Sequence, residues 1–128
     1  MLSQLIALIL YGNQIVINKN EMMIERHIET IDRLIWCESR GVENAIHKLD
    51  GDGIDSVGVL QFKWKTFSYY SEKFGLFPLA DEADMENLWH DKYAQKLVAA
   101  HILENEKNGL CHWEICSKSF RNYKCKGE

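Results

Sequence analysis

The chain has 128 residues, 46% of them hydrophobic and 27% charged, which suits one globular domain able to bury a core of its own. Its formal net charge of −4 excludes the broad cationic field on which sequence-independent nucleic-acid binding depends, and it gives no long-range attraction to anionic surfaces. A single proline, Pro78, and the lack of any Gly/Ser-rich stretch leave no sign of an interdomain linker.

In chain order, the first feature is a short apolar run, Leu5 to Leu10. It falls well below the roughly 20 residues needed to cross a bilayer, so no stable membrane insertion is expected. It also lacks a basic leading segment and a clean small-residue cleavage site. Two readings stay open: a buried helix, or a degenerate export signal. Residues 1–20 are therefore set apart from a domain expected over 21–128. Residues 21–36 read as one helix, because Ile24, Ile28, Ile31, Leu34 and Ile35 recur at three- and four-residue spacings and share a face. Gly41 is the expected stop, which places Cys37 and Glu38 in the last turn.

Residues 42–57, with Asp50-Gly51-Asp52-Gly53 and Asp55-Ser56, read as a loop or short β-hairpin beside a cleft. Residues 64–74 read as a helix with Trp64, Phe67, Tyr69 or Tyr70, and Phe74 as apolar contacts. Residues 82–107 read as one or two helices carrying Leu88, Trp89, Tyr93, Leu97, Ala100, Ile102 and Leu103, with Gly109 as the stop. A short final helix is expected over 113–119. The aromatic set Trp36, Trp64, Tyr69, Tyr70 and Trp89 is assigned mostly to the core by this spacing. The whole is an α+β pattern, mostly α, with a small β or loop region.

Four cysteines, Cys37, Cys111, Cys116 and Cys125, allow three fully paired connectivities, and their spacing does not choose among them. No CxxC pair is present, so disulfides in an oxidising compartment fit better than a zinc site. His47, His90, His101 and His112 form no metal pattern either, since His90 and His101 stand eleven residues apart. A calcium loop starting at Asp50 would need glycine sixth and glutamate twelfth; Asp55 and Gln61 stand there instead.

A carboxylic acid at the end of a buried helix is the residue type that glycosidic cleavage uses to protonate a leaving oxygen. Glu38 has that position. Its surroundings read Cys37-Glu38-Ser39-Arg40-Gly41, then Asn44-Ala45-Ile46, then Gly58-Val59-Leu60-Gln61-Phe62 with Thr66-Phe67, and finally Trp113-Glu114-Ile115-Cys116. In order and spacing these stretches resemble the lysozyme-like superfamily of soluble lytic transglycosylases, goose-type lysozymes and resuscitation-promoting factors. The match is best to the catalytic domain of resuscitation-promoting factors, and it covers residues from about 30 to 120.

The resemblance implies a lysozyme-like fold and a muralytic enzyme with Glu38 as catalytic acid and base. It implies a sugar-binding role for Gln61 and a disulfide between Cys37 and Cys116. Ser56, Gly58 and one of Tyr69 or Tyr70 are further candidates for the substrate cleft, and Trp113 matches a closing-motif tryptophan that is more often core. Asp52 or Asp55 could supply a second carboxylate if the loop folds over the cleft, although a solvated turn is the plainer reading. The partner implied is the peptidoglycan glycan strand, cut by a monomer that needs no cofactor or metal, either secreted or in the cell envelope. A lytic transglycosylase is expected over a lysozyme-type hydrolase for want of a clear second carboxylate. A catalytically weak wall-binding module is the competing class. The chain departs from the pattern at Arg40 and Val59, where the family carries glycine, and Cys111 and Cys125 have no counterpart.

Overall fold

The computed structural model describes residues 14–48, 51–120 and 125, with side chains from residue 19 onward. The Leu5–Leu10 run and Asp50 lie outside the described residues. The described chain is mostly helical with a small two-stranded sheet. Its elements are α1 (Gln14–Arg26), α2 (Ile28–Ser39), β1 (Ile46–His47), β2 (Ser56–Val57), α3 (Trp64–Lys73), α4 (Glu82–His90), α5 (Lys92–Asn105), a 3₁₀ turn (Gly109–Trp113) and α6 (Glu114–Ser117).

Helix α5 is the centre of the fold. It packs against α1, α2, α3, α4 and the 3₁₀ turn. Ala94, Leu97, Val98, Ala99, Ala100 and Ile102 are all buried, and the alanines let neighbouring helices come close. Asp91 starts α5 by accepting the Ala94 amide at 2.8 Å, and Asp81 and Asp84 form a reciprocal capping box at the start of α4.

The helix expected over 21–36 is two helices. α1 begins at Gln14 and so runs through the boundary expected after residue 20. The break falls at His27, whose backbone leaves helical geometry (φ −111°, ψ 15°). The His27 ring and the Arg26 guanidinium both reach Glu104 on α5, at 2.7 and 3.0 Å, which pins the break to the central helix. The apolar stripe crosses the break in phase: Ile24, Ile31, Leu34 and Ile35 are buried as expected.

α2 ends at Ser39, with Arg40 in the left-handed region (φ 56°) and Gly41 following it there. Trp36 departs from its core assignment. It is 61% exposed, with the Arg40 guanidinium 4.9 Å from its ring centre. It directly follows Ile35, about 100° further round the helix and so on the solvent side of α2. Tyr93 is likewise exposed on α5.

β1 and β2 pair antiparallel, Ile46 opposite Val57 and His47 opposite Ser56, and Val57 also bridges to Phe62. Two disulfides close the fold: Cys37–Cys116, as the resemblance implies, and Cys111–Cys125. The first ties the end of α2 to α6. No described helix is long and apolar enough to cross a membrane.

Candidate active site

Glu38 lies on the last turn of α2, half-buried, at the edge of a cleft of about 380 Å³. Other lining residues are His47, Ser56, Gln61, Lys63, His112 and Glu114. The Cys37–Cys116 bond brings α6 against the helix end, and the Glu38 Oε2 atom lies 3.1 Å from the Cys116 sulfur. The disulfide sulfur gives this carboxyl an apolar neighbour, and the cleft it lines, which also includes Trp113, gives it an open side.

Gln61, Phe62 and Lys63 bring the segment after β2 to the cleft, and Gln61 closes the tight loop Gly58-Val59-Leu60-Gln61 between Val57 and Phe62. Val59 and Leu60 point into the core and are fully buried. The backbone groups of this segment are held by side chains from three other elements. The Leu60 amide donates to Gln95 Oε1 at 2.8 Å, and the Leu60 carbonyl accepts from the Trp113 indole at 3.0 Å. Gln95 Nε2 donates to the carbonyls of Val57 (2.8 Å) and Trp89 (2.6 Å), and the Trp89 indole donates to the Phe62 carbonyl at 2.8 Å. Gly58 has φ +85°, and a β-carbon there would sit 2.2 Å from Gln95 Nε2. Gly58, a candidate for the substrate cleft, therefore packs against Gln95 in the core and is not among the cleft's lining residues.

Gln61 reaches the cleft, but its amide is turned to a structural task. Nε2 donates to the carbonyls of Gly58 (2.8 Å) and Ala45 (3.2 Å), while Oε1 meets His47 Nδ1. With both N–H groups satisfied by backbone, Gln61 fixes the loop and presents His47, instead of offering a free amide to a sugar. Its own φ of 53° makes it one of the non-glycine residues in left-handed geometry. Ser56 is buried beneath the cleft and accepts from Lys63 Nζ at 3.2 Å.

Neither tyrosine lines the cleft. Tyr69 is exposed outside it, and Tyr70 is a core residue whose hydroxyl lies 2.8 Å from His112 Nε2. Tyr70 thus stands behind a cleft residue. Asp52 and Asp55 are not among the lining residues either. Asp52 accepts the Ile54 amide at 3.0 Å in a turn and pairs with Lys63 at 3.3 Å, and Asp55 lies 3.5 Å from Lys48. The second carboxylate of the cleft is Glu114, at the start of α6.

Sequence reasoning therefore missed Gln95, His112 and Glu114. Gln95 left a readable trace, an amide on the helix face that also carries Val98 and Ile102. His112 and Glu114 left none, because a 3₁₀ turn and a four-residue helix carry no periodic pattern. Burial pushes the His112 ring below the ordinary histidine value, against a smaller opposing effect of Glu106, so the ring is neutral near pH 7. Among the described residues, no group of His, Cys, Asp or Glu is arranged to hold a metal ion.

Compared with models of protein families, with curated proteins and with solved structures, the chain matches none of them significantly.

Proposed function

We propose that this protein is a muralytic enzyme of lysozyme-like architecture. It cleaves the β-1,4 bond between N-acetylmuramic acid and N-acetylglucosamine in peptidoglycan, with Glu38 as the acid. The observation that carries the reading is the position of Glu38. It sits half-buried on the last turn of a core helix, against the Cys116 sulfur, and lines a cleft together with Gln61, Lys63, His112 and Glu114. Protonated Glu38 donates to the glycosidic oxygen, and the bond to the sugar's anomeric carbon breaks as positive charge develops there.

The carboxylate so formed then acts as base. If it takes the proton of the muramyl 6-hydroxyl, that oxygen closes on the anomeric carbon and the product is a 1,6-anhydro sugar, the outcome of a lytic transglycosylase. One specific observation favours a second reading: Glu114 lies in the same cleft. A second carboxylate there could activate water, which makes the enzyme a hydrolase of the same bond. The two disulfides are compatible with work outside the reducing cytosol, in the envelope or beyond it, where the glycan strand is found.

The test is clearing of purified cell walls by the wild type and by Glu38→Gln, with wall pull-down measured in parallel. Loss of clearing with retained binding supports the enzyme. Equal behaviour of both proteins, bound but not clearing, would leave a wall-binding module.

A further inference from the structure

His112 is the cleft residue with the most organised support behind it. Its Nε2 atom is engaged by the Tyr70 hydroxyl at 2.8 Å. Behind Tyr70 stands Glu106, whose Oε1 lies 3.5 Å from the same hydroxyl and whose two oxygens accept from Lys73 Nζ at 3.1 and 2.9 Å. Tyr70 is itself wedged edge-on to the imidazole, with ring centres 5.1 Å apart, and stacked on Phe74 at 5.7 Å. The row Lys73–Glu106–Tyr70–His112 therefore runs from the surface through a core tyrosine to the cleft that Glu38 lines.

A ring held on one nitrogen has its orientation fixed and its other nitrogen left for a partner. The Tyr70 contact uses Nε2, and among the described residues no hydrogen bond to Nδ1 is found. The residue lines the cleft and is in part open to solvent. A neutral imidazole held this way suits hydroxyl and acetamido groups, which are uncharged and need directed hydrogen bonds. Supporting groups that lock a ligand-contacting ring in place are the mark of a site built for one geometry.

We propose that His112 contacts the glycan bound at Glu38, with Nδ1 hydrogen-bonded to a hydroxyl or acetamido group of the sugar and Tyr70 as its positioning residue. This rests on the muralytic reading and adds to it a sugar contact drawn from the 3₁₀ turn. The row behind the ring makes Tyr70→Phe a selective probe: it removes one hydroxyl and leaves the aromatic packing.

The experiment uses the full chain in the Glu38→Gln background, so that the probe stays intact. The soluble tetrasaccharide (GlcNAc–MurNAc)₂ is titrated in while the histidine ring signals are followed by NMR and affinity is measured by calorimetry. The His112 signals should move on binding. His112→Phe should weaken binding about fivefold to tenfold, the loss of one hydrogen bond. His112→Gln should recover part of the loss. Tyr70→Phe should weaken binding about twofold to threefold, and should add nothing once His112→Phe is present, because the two act through one contact. If backbone signals around Glu38 and Trp113 respond while His112 stays still and His112→Phe binds normally, the proposal is overturned and the muralytic reading stands. If no signal responds and the wild type cleaves no wall, both fail together.

Discussion

The Glu38 carboxylate lies 3.1 Å from the sulfur of Cys116, a residue 78 positions further along the chain. That contact exists because Cys116 is bonded to Cys37, the neighbour of Glu38 on α2. The same covalent link thus closes the longer of the two disulfide loops and sets the apolar side of the candidate acid. The second bond, Cys111–Cys125, closes a separation of only 14. Loop-closure entropy then gives the two bonds different weights, about 4.5 kcal/mol for the long loop and about 3 kcal/mol for the short one. Replacing Cys37 and Cys116 by serine should cost more stability in denaturant unfolding than replacing Cys111 and Cys125. It should also depress wall clearing under conditions where the variant remains folded. Equal losses from both pairs would contradict this assignment.

Gln95 and Gly58 form the second relationship on which the cleft depends. Gln95→Leu would leave the Leu60 amide and the Trp89 carbonyl without their side-chain partner, while the Val57 carbonyl keeps the Phe62 amide. At about 1–3 kcal/mol for each buried group left unpaired, the loss should be about 2 kcal/mol or more. Gly58→Ala meets two penalties, the left-handed backbone at about 1–2 kcal/mol and a β-carbon placed 2.2 Å from Gln95 Nε2. Chemical denaturation of both variants checks this; a loss of only about 1–2 kcal/mol in Gly58→Ala would show that the Gln95 contact yields freely, and a protein as stable as wild type would contradict both penalties.

Arg40 takes a left-handed backbone (φ 56°) at the end of α2, a place that glycine occupies at lower cost. Its guanidinium regains part of that cost by lying over Trp36, an exposed interaction worth about 0.5–1 kcal/mol. The backbone term is the larger, at about 1–2 kcal/mol. The added freedom of the unfolded glycine chain costs about 0.4–1 kcal/mol more, so Arg40→Gly should leave stability within about 0.5 kcal/mol of wild type. A thermal melt showing a loss well beyond that would place the Trp36 contact above the backbone term.

Two histidines make stability depend on pH. Burial lowers the pKa of His101, and more weakly opposed by Glu104; it also lowers that of His112. His101 is stacked on Phe74, and its Nε2 has no hydrogen-bond partner among the described residues. As pH falls below about 6.5 the unfolded chain takes up these protons before the folded one does. Stability should be level above that value and should decline on acidification until the depressed folded values are passed. Glu104, held below the ordinary carboxylate range chiefly by hydrogen bonds from His27 and Arg26, adds a further loss in the same direction at lower pH. Melting curves between pH 7.5 and 5.5 should show the first decline, and His101→Phe should flatten it. An unchanged slope would remove His101 as a source.

Periodicity made the helical faces legible: Ile24, Ile31, Leu34 and Ile35 are buried where their spacing puts them, and α2 ends beside Gly41. The hairpin was legible from Asp-Gly turns, and β1 and β2 fall inside the stretch so marked. The Cys37–Cys116 bond followed from motif resemblance, since spacing left three connectivities open. What stayed hidden depends on side chains that reach across the fold. The break at His27 has no Gly or Pro to announce it, and the contact that holds it comes from Glu104, 77 residues away. Gln61 was a sugar-ligand candidate through the motif glutamine it matches in the resembled family, yet both its donors are taken by backbone carbonyls. Tyr70 was assigned to both the core and the cleft; its ring is core, and only its hydroxyl communicates with the cleft, through His112. Asp52 and Asp55 are drawn to Lys63 and Lys48, so the cleft's second carboxylate comes from Glu114 instead.

The central claim is that Glu38 delivers the proton that breaks the glycan strand. Mass spectrometry of the fragments released from purified peptidoglycan by the wild type, by Glu38→Gln and by Glu114→Gln tests it most directly. The account predicts soluble muropeptides from the wild type and none from Glu38→Gln. Anhydro-muramyl ends that persist in Glu114→Gln would mark a lytic transglycosylase, whereas reducing ends lost in Glu114→Gln would mark a hydrolase with Glu114 as base. Release of the same fragments by Glu38→Gln as by the wild type would contradict the assignment of Glu38.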